Sequence, residues 1–84
     1  MKKVTVTAGI SAAREERTMA ELVQVANRFS SSIHIETENK IVNAKSIMGM
    51  MTIILVSGME LVITAEGEDE GVAVEAISSY ILGQ

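Results

Sequence analysis

The stretch MELVITA, residues 59–65, is the most strand-like part of the chain. It is rich in apolar and β-branched residues and ends at the turn-forming EGEDEG, residues 66–71, so it predicts a β-strand. Beyond the turn, apolar residues recur at helical spacing and predict a closing helix with one core-facing stripe. That stripe is predicted to consist of Val72, Ala73, Ala76, Ile77, Tyr80 and Ile81.

Two shorter segments before this strand predict a β-hairpin. Residues 32–36 (SIHIE) alternate polar and apolar side chains, and residues 41–43 (IVN) can pair with them after a polar turn. Residues 44–51 (AKSIMGMM) follow the hairpin and predict a short helix, whose length Gly49 leaves open.

The N-terminal part of the chain predicts a strand followed by an amphipathic helix. Residues 3–8 (KVTVTA) alternate, with Val4 and Val6 on one face and threonines on the other. Ser11 is a candidate N-cap for the helix, and Asn27, a weaker helix former, is expected near its end. The apolar stripe of this helix is predicted to contain Met19, Leu22, Val23, Ala26 and Phe29.

The predicted elements follow the order β-α-β-β-α-β-α. Because each amphipathic helix must bury its stripe, this order predicts an α+β fold of two layers, a four-stranded sheet with helices covering one face. No proline, Gly/Ser tract or repeat interrupts the 84 residues, so a single domain spanning residues 1–84 is expected. The two aromatic residues are Phe29 and Tyr80, so the core must be aliphatic and rich in methionine.

Charge and cysteine content exclude several classes of function. The net charge of −4 argues against a nucleic-acid surface, which needs concentrated lysine and arginine. The absence of cysteine excludes disulfides and thiolate zinc sites. The N-terminal residues contain no apolar run long enough for a signal peptide or a membrane span, so no membrane contact and a cytoplasmic location are expected.

The segment VNAKSIMGMM, residues 42–51, carries a resemblance to a known family. Together with the order of elements, it resembles the HPr family, the small phosphocarrier proteins of the bacterial sugar phosphotransferase system, and in particular the regulatory-serine segment of HPr proteins from low-GC Gram-positive bacteria. The segments LVQVANRF (22–29) and AEGEDE (65–70) also fit the family. The resemblance covers nearly the whole chain and implies an open-faced β-sandwich with three helices on one face of an antiparallel sheet.

The resemblance fails at the start of the first helix. HPr proteins carry a phosphoryl group on the histidine of a Gly-Ile-His-Ala-Arg-Pro motif. Counted without gaps from LVQ, Glu15 stands in the place of that histidine, Arg17 matches the arginine and Thr18 replaces the proline. Histidine accepts and donates phosphate because its neutral imidazole nitrogen is a nucleophile near pH 7, and a carboxylate does not replace it at the same energy.

This pattern is similar to the catabolite-repression HPr-like branch of the family, in which the histidine is replaced and the regulatory serine is kept. The resemblance implies a non-enzymatic regulator whose Ser46 is phosphorylated by a bifunctional HPr kinase/phosphorylase. The phosphorylated protein would then bind the catabolite control repressor as a corepressor. The family places Arg17, Ile47, Met48 and Met51 in contact with partners, whereas Met50 is the expected core member of the cluster.

Each of these assignments has a simpler structural alternative. Ser46 can be a helix N-cap, and its apolar neighbours can be ordinary core residues. Arg14 and Arg17, with Glu15 and Glu16, can be a solvated helix start. A short helix cannot turn all its large side chains inward, which favours a contact surface that flexible methionines suit.

Two other functions stay open at this stage. One is a phosphocarrier of the phosphoenolpyruvate-dependent system that uses an unusual acceptor, Glu15 or Ser11. The other is an interaction domain without phosphorylation, which could assemble as a homodimer by exchanging an element between subunits.

The remaining polar residues predict no metal or cofactor site. The chain's one histidine, His34, alternates with two isoleucines in its strand and is expected to face solvent. The acids that precede the last helix lack the EF-hand spacing and are interpreted as a turn and a helix N-terminus that complements the helix dipole. These acids are Glu66, Glu68, Asp69 and Glu70.

Overall fold

The computed structural model describes residues 1–9, 15–53 and 58–82, and for residues 15–18 it describes the backbone. Its elements follow the predicted order β-α-β-β-α-β-α. They are β1 (Lys2–Thr7), α1 (Glu15–Ala26), β2 (Ser32–Glu36), β3 (Ile41–Asn43), α2 (Ile47–Met50), β4 (Glu60–Glu66) and α3 (Glu70–Leu82).

The four strands form one antiparallel sheet in the order β1-β4-β2-β3. In β4, Ile63 pairs with Val4 and with Ile35, and these side chains point toward the helices. The next residue, Thr64, pairs with Lys3 and His34 on the opposite, open face. The open-faced α+β architecture is therefore confirmed, and His34 is exposed as expected.

The core between sheet and helices is aliphatic, as the composition predicts. Phe29 and Tyr80 are partly buried and pack against it rather than forming its centre. The predicted strand alternation is confirmed in β1, where Val4 and Val6 are half-buried and the adjacent threonines are exposed. The largest fully buried apolar residues of the core are Leu22, Ile33, Ile35, Met50, Leu61, Ile63, Ile77 and Ile81.

The buried stripe of α3 differs from the predicted one. Val72 is exposed, so its assignment to the core was wrong, and Val74 is buried in its place. Residues advance by about 100° in a helix, so positions 73, 74, 77 and 81 share one face and position 72 lies beyond its edge. Val72 and Val74 are two positions apart and therefore lie about 200° apart around the helix, and Val74 is on the buried side.

Element boundaries shift by a few residues from the predicted ones. α1 ends at Ala26, and Asn27 follows it with its side-chain amide donating to the Val23 carbonyl at 2.8 Å. Ala8 and Met59 lie just outside β1 and β4, although the Ala8 N–H still donates to the Met59 carbonyl at 2.8 Å. The predicted cap Ser11 lies outside the described residues.

Candidate functional site

Ser46 is the N-cap of α2. Its backbone is extended (φ −100°, ψ 113°), and its hydroxyl oxygen accepts a hydrogen bond from the Gly49 N–H at 3.2 Å. A serine at this position satisfies a backbone N–H that has no partner within the helix. The capping role considered for Ser46 is therefore present, and it leaves the hydroxyl half-buried at the start of a short exposed helix.

Three apolar side chains around Ser46 face solvent. Ile47 is 45% exposed, Met48 is 81% exposed and Met51 is 49% exposed. Met50, in contrast, is completely buried. Positions 47, 48 and 51 share one side of a helical turn while position 50 lies on the other, which explains the division. We call Ile47, Met48 and Met51 the α2 patch.

The α2 patch has the chemistry of a contact surface. Large apolar side chains that stand together in water mark sites where another molecule binds more often than isolated exposed residues do. Methionine side chains are flexible and polarizable, so they can adapt to different partners. The expected exposure of these three residues is confirmed, and their contact with a partner stays a prediction.

The other predicted site residues lie in and before the first turn of α1. α1 begins at Glu15, so Glu15 and Arg17 both belong to its first turn, and α1 packs against α2. The side chains of Glu15 and Arg17 lie outside the described residues, as do Ser11 and Arg14. The expected contact of Arg17 with a partner therefore stays a prediction.

Sequence reasoning missed a polar contact between the turn after α1 and the start of α3. The Asp69 carboxylate accepts hydrogen bonds from the N–H groups of Ser30 and Ser31, each at 2.9 Å, and from the Ser31 hydroxyl. These donors, above all the Ser31 hydroxyl, lower the pKa of Asp69 to about 2 because they favour its charged form. Asp69 thus links two elements, beyond the dipole role expected of it.

Glu70 makes a second such link, to the start of the chain. Its carboxylate lies 2.9 Å from the N-terminal ammonium and accepts a hydrogen bond from the Gly67 N–H at 3.2 Å. The hydrogen bond from the N-terminal ammonium is the main cause of a lowered pKa of Glu70. No spacing rule in the sequence pairs these groups, because the contact depends on the fold.

Two further properties of the described residues bear on function. Among residues 1–9, 15–53 and 58–82, no group of three or more histidine, aspartate or glutamate side chains could hold a metal ion. Within the same ranges, every helix is too short or too polar to cross a membrane.

The chain is similar to solved structures of HPr and of HPr-like proteins. A phosphocarrier protein HPr from Bacillus anthracis str. Ames superposes with a TM-score of 0.90 at 40% identity, covering 95% of each chain. The Bacillus subtilis catabolite repression protein Crh, described as a domain-swapped, intertwined dimer, superposes with a TM-score of 0.75 at 39% identity, covering 100% of this chain and 92% of that one.

Sequence comparison agrees with the structural matches. The HPr-like protein Crh of Bacillus subtilis (strain 168) is 45% identical over 67 residues, which is 80% of this chain and 79% of the relative. The family model described as the PTS HPr component phosphorylation site matches residues 2–82. A match over almost the entire chain, on the same fold, shows that this chain belongs to the HPr family.

Proposed function

We propose that this protein is a regulator of carbon catabolite repression that is switched by phosphorylation of Ser46. An HPr kinase/phosphorylase phosphorylates Ser46, and the phosphorylated protein binds the catabolite control repressor as a corepressor. The observation that carries the proposal is the position of Ser46, whose hydroxyl lies at the start of α2 beside the exposed side chains of the α2 patch. The relatives named Crh support the same role.

Phosphorylation of Ser46 would change the chemistry of this surface without rebuilding the core. A phosphoserine adds a charge of about −1.5 to −2 and three strong hydrogen-bond acceptors. An apolar surface with such a group at its edge fits a partner that presents apolar side chains next to an arginine or lysine. The unmodified surface lacks the phosphate that would pair with this arginine or lysine.

The histidine position argues against a phosphocarrier role. The chain's one histidine, His34, is exposed on the open face of β2, on the opposite side of the sheet from α1. It cannot replace the phosphorylated histidine that the family pattern has at the start of α1, where this chain has Glu15. We therefore propose that the protein does not carry phosphate to sugars.

We also propose that the protein is non-enzymatic and cytoplasmic, consists of one domain, residues 1–84, and needs no cofactor.

Intact-mass spectrometry after incubation with an HPr kinase/phosphorylase and ATP tests this proposal. We expect one added phosphate on the wild-type protein and none on Ser46→Ala. Ser32→Ala, which removes an exposed serine in β2, is the matched control and should be phosphorylated like the wild type. Absence of phosphate on the wild type, under conditions that modify an ordinary HPr, would rule the switch out.

The same assay separates the carrier alternative. Incubation with phosphoenolpyruvate and the first enzyme of the phosphotransferase system should add no phosphate, because the family histidine is absent. A phosphoprotein formed in that reaction would instead support Glu15 or Ser11 as an unusual acceptor.

Self-association is a second candidate property, favoured by the relatives described as dimers. We propose that this chain also forms a homodimer at high concentration. Light scattering over a concentration series should show the mass rising from 9.0 kDa toward twice that value. A mass that stays at 9.0 kDa at every concentration would contradict a dimer.

A further inference from the structure

Lys45, the residue directly before Ser46, is held by hydrogen bonds on three sides. Its ammonium donates to the Phe29 carbonyl oxygen at 2.7 Å, in the turn after α1. Its own carbonyl oxygen lies 3.4 Å from Asn27 Nδ2, and its N–H donates to Asn43 Oδ1 at 2.9 Å. Lys45 therefore connects the end of α1 with the end of β3.

The Asn27 side chain is itself fixed in place. Its Nδ2 also donates to the Val23 carbonyl at 2.8 Å, in the last turn of α1. The amide is thereby held against α1 while it reaches toward Lys45. Asn43 adds a second contact on the sheet side, because its carbonyl accepts from the Ser46 N–H at 3.0 Å.

α2 depends on such contacts for its position. It contains four residues, and helices this short are unstable in isolation. Met50 anchors its buried side in the core, but a single buried side chain does not fix the direction in which the exposed side points. The bonds to Lys45 and from the Ser46 N–H hold the chain at the point where it enters the helix.

The half-buried ammonium of Lys45 makes this arrangement selective. A charge partly withdrawn from water is stabilised only where an acceptor meets it. The Phe29 carbonyl is that acceptor, and it lies beyond the end of α1, where carbonyl groups have no helical partner. This contact gives each group a partner and ties the start of α2 to the turn after α1.

We propose that Lys45 and Asn27 are positioning residues, which hold Ser46 and the α2 patch in one orientation against α1. The Ser46 hydroxyl is then already oriented when the kinase binds. The consequence for phosphorylation rests on the proposed function. The effect on the orientation of α2 does not, because it depends on the contacts within this chain.

Lys45→Met is the direct test, because methionine keeps much of the apolar stem and removes the ammonium. Lys40→Met is the matched control: Lys40 also donates to a backbone carbonyl, that of Thr52 at 3.2 Å beyond α2, but its side chain is exposed. Amide hydrogen exchange measures local opening of α2. The reporters are the N–H groups of Ser46 and Met50, which donate to Asn43 and Ser46 carbonyls.

We expect exchange at Ser46 and Met50 to become about tenfold faster in Lys45→Met, since hydrogen bonds to charged groups contribute at least that factor. Exchange in Lys40→Met, and at Ile63 in β4 of either variant, should stay at the wild-type rate. Lys45→Arg, which keeps a cationic donor, should restore most of the protection. Asn27→Ser, a second variant with a shorter side chain, should accelerate exchange at the same two amides.

The kinase assay supplies the second readout. We expect kcat/KM for Ser46 phosphorylation to fall in Lys45→Met, by up to about tenfold, because kcat/KM follows the fraction of molecules in the oriented state. It should be unchanged in Lys40→Met. Unchanged exchange at Ser46 and Met50 in Lys45→Met would overturn the proposal, as would equal acceleration in Lys40→Met or acceleration that includes Ile63. If the kinase modifies none of these proteins, the proposed function fails while the exchange data still decide the role of Lys45.

Discussion

Single residues in this protein act through the contacts that the fold provides, and Asp69 is the clearest case. The sequence identifies an acid next to a helix start and predicts an interaction with the helix dipole. The structure shows a carboxylate that binds Ser30 and Ser31, 38 residues and more away in the sequence. Gly67 makes this approach possible, because a Cβ there would lie 2.7 Å from the Ser31 Cα. Such a contact cannot be predicted without the fold.

Asp69 should make stability depend on pH in the acidic range. Its pKa of about 2 in the folded protein lies below the ordinary carboxyl value near 4, so the charged form favours folding. The stabilisation is present above about pH 4 and is lost as the pH falls through about 2. Thermal unfolding measured between pH 2 and pH 7 should show that the wild type is more stable than Asp69→Asn. This difference in stability should become smaller as the pH falls from about 4 to about 2.

Glu68→Gln serves as the control for the removal of a carboxylate from the same turn, where Glu68 is exposed. Glu70 should retain part of the acid sensitivity in the Asp69→Asn variant, because its pKa is lowered as well. A difference between wild type and Asp69→Asn that stays constant from pH 7 to pH 2 would show that the carboxylate charge is not the cause.

The secondary-structure elements were predictable from periodicity, with errors at their ends and in their rotation. Alternating side chains identified the strands, and the stripe of α1 identified the first helix. The stripe of α3 was predicted with one wrong member, Val72 in place of Val74, because the two valines are equally apolar and the fold decides which is buried. In α2, the limit on how many side chains can turn inward indicated an exposed surface, and the resemblance to the HPr family separated Met50 from the α2 patch.

Substitution of two methionines in α2 should separate stability from binding. Met50→Ala removes a completely buried side chain and should cost about 2–5 kcal/mol in the free energy of unfolding. Met48→Ala removes an exposed one and should change that free energy by less than about 0.5 kcal/mol. Urea denaturation followed by circular dichroism measures both values.

Phosphorylation of Ser46 by the kinase should depend more on the exposed Met48 than on the buried Met50. Under conditions where both variants are folded, Met48→Ala should raise the KM for Ser46 phosphorylation more than Met50→Ala does. A large loss of stability in Met48→Ala would mean that Met48 belongs to the core and would remove it from the contact surface.

At the scale of the whole molecule, the fold is shared with relatives that include a domain-swapped dimer. The chain superposes more closely on the Bacillus anthracis HPr than on the domain-swapped Crh, although the two are equally similar to it in sequence. Within this chain, β1 pairs with β4 and packs against α3. The family was predictable from the segment around Ser46, whereas Asn27, Asn43 and Lys45 became recognisable as a group once the fold had brought them together.

The central claim, that phosphorylation of Ser46 creates a corepressor, is tested most directly by isothermal titration calorimetry with the catabolite control repressor. The titrants are the Ser46-phosphorylated protein and the unmodified protein. We expect the phosphorylated form to bind with an affinity at least about tenfold higher, a difference of about 1.4 kcal/mol in binding free energy. Equal affinities for the two forms, or no binding by the phosphorylated form, would contradict the account.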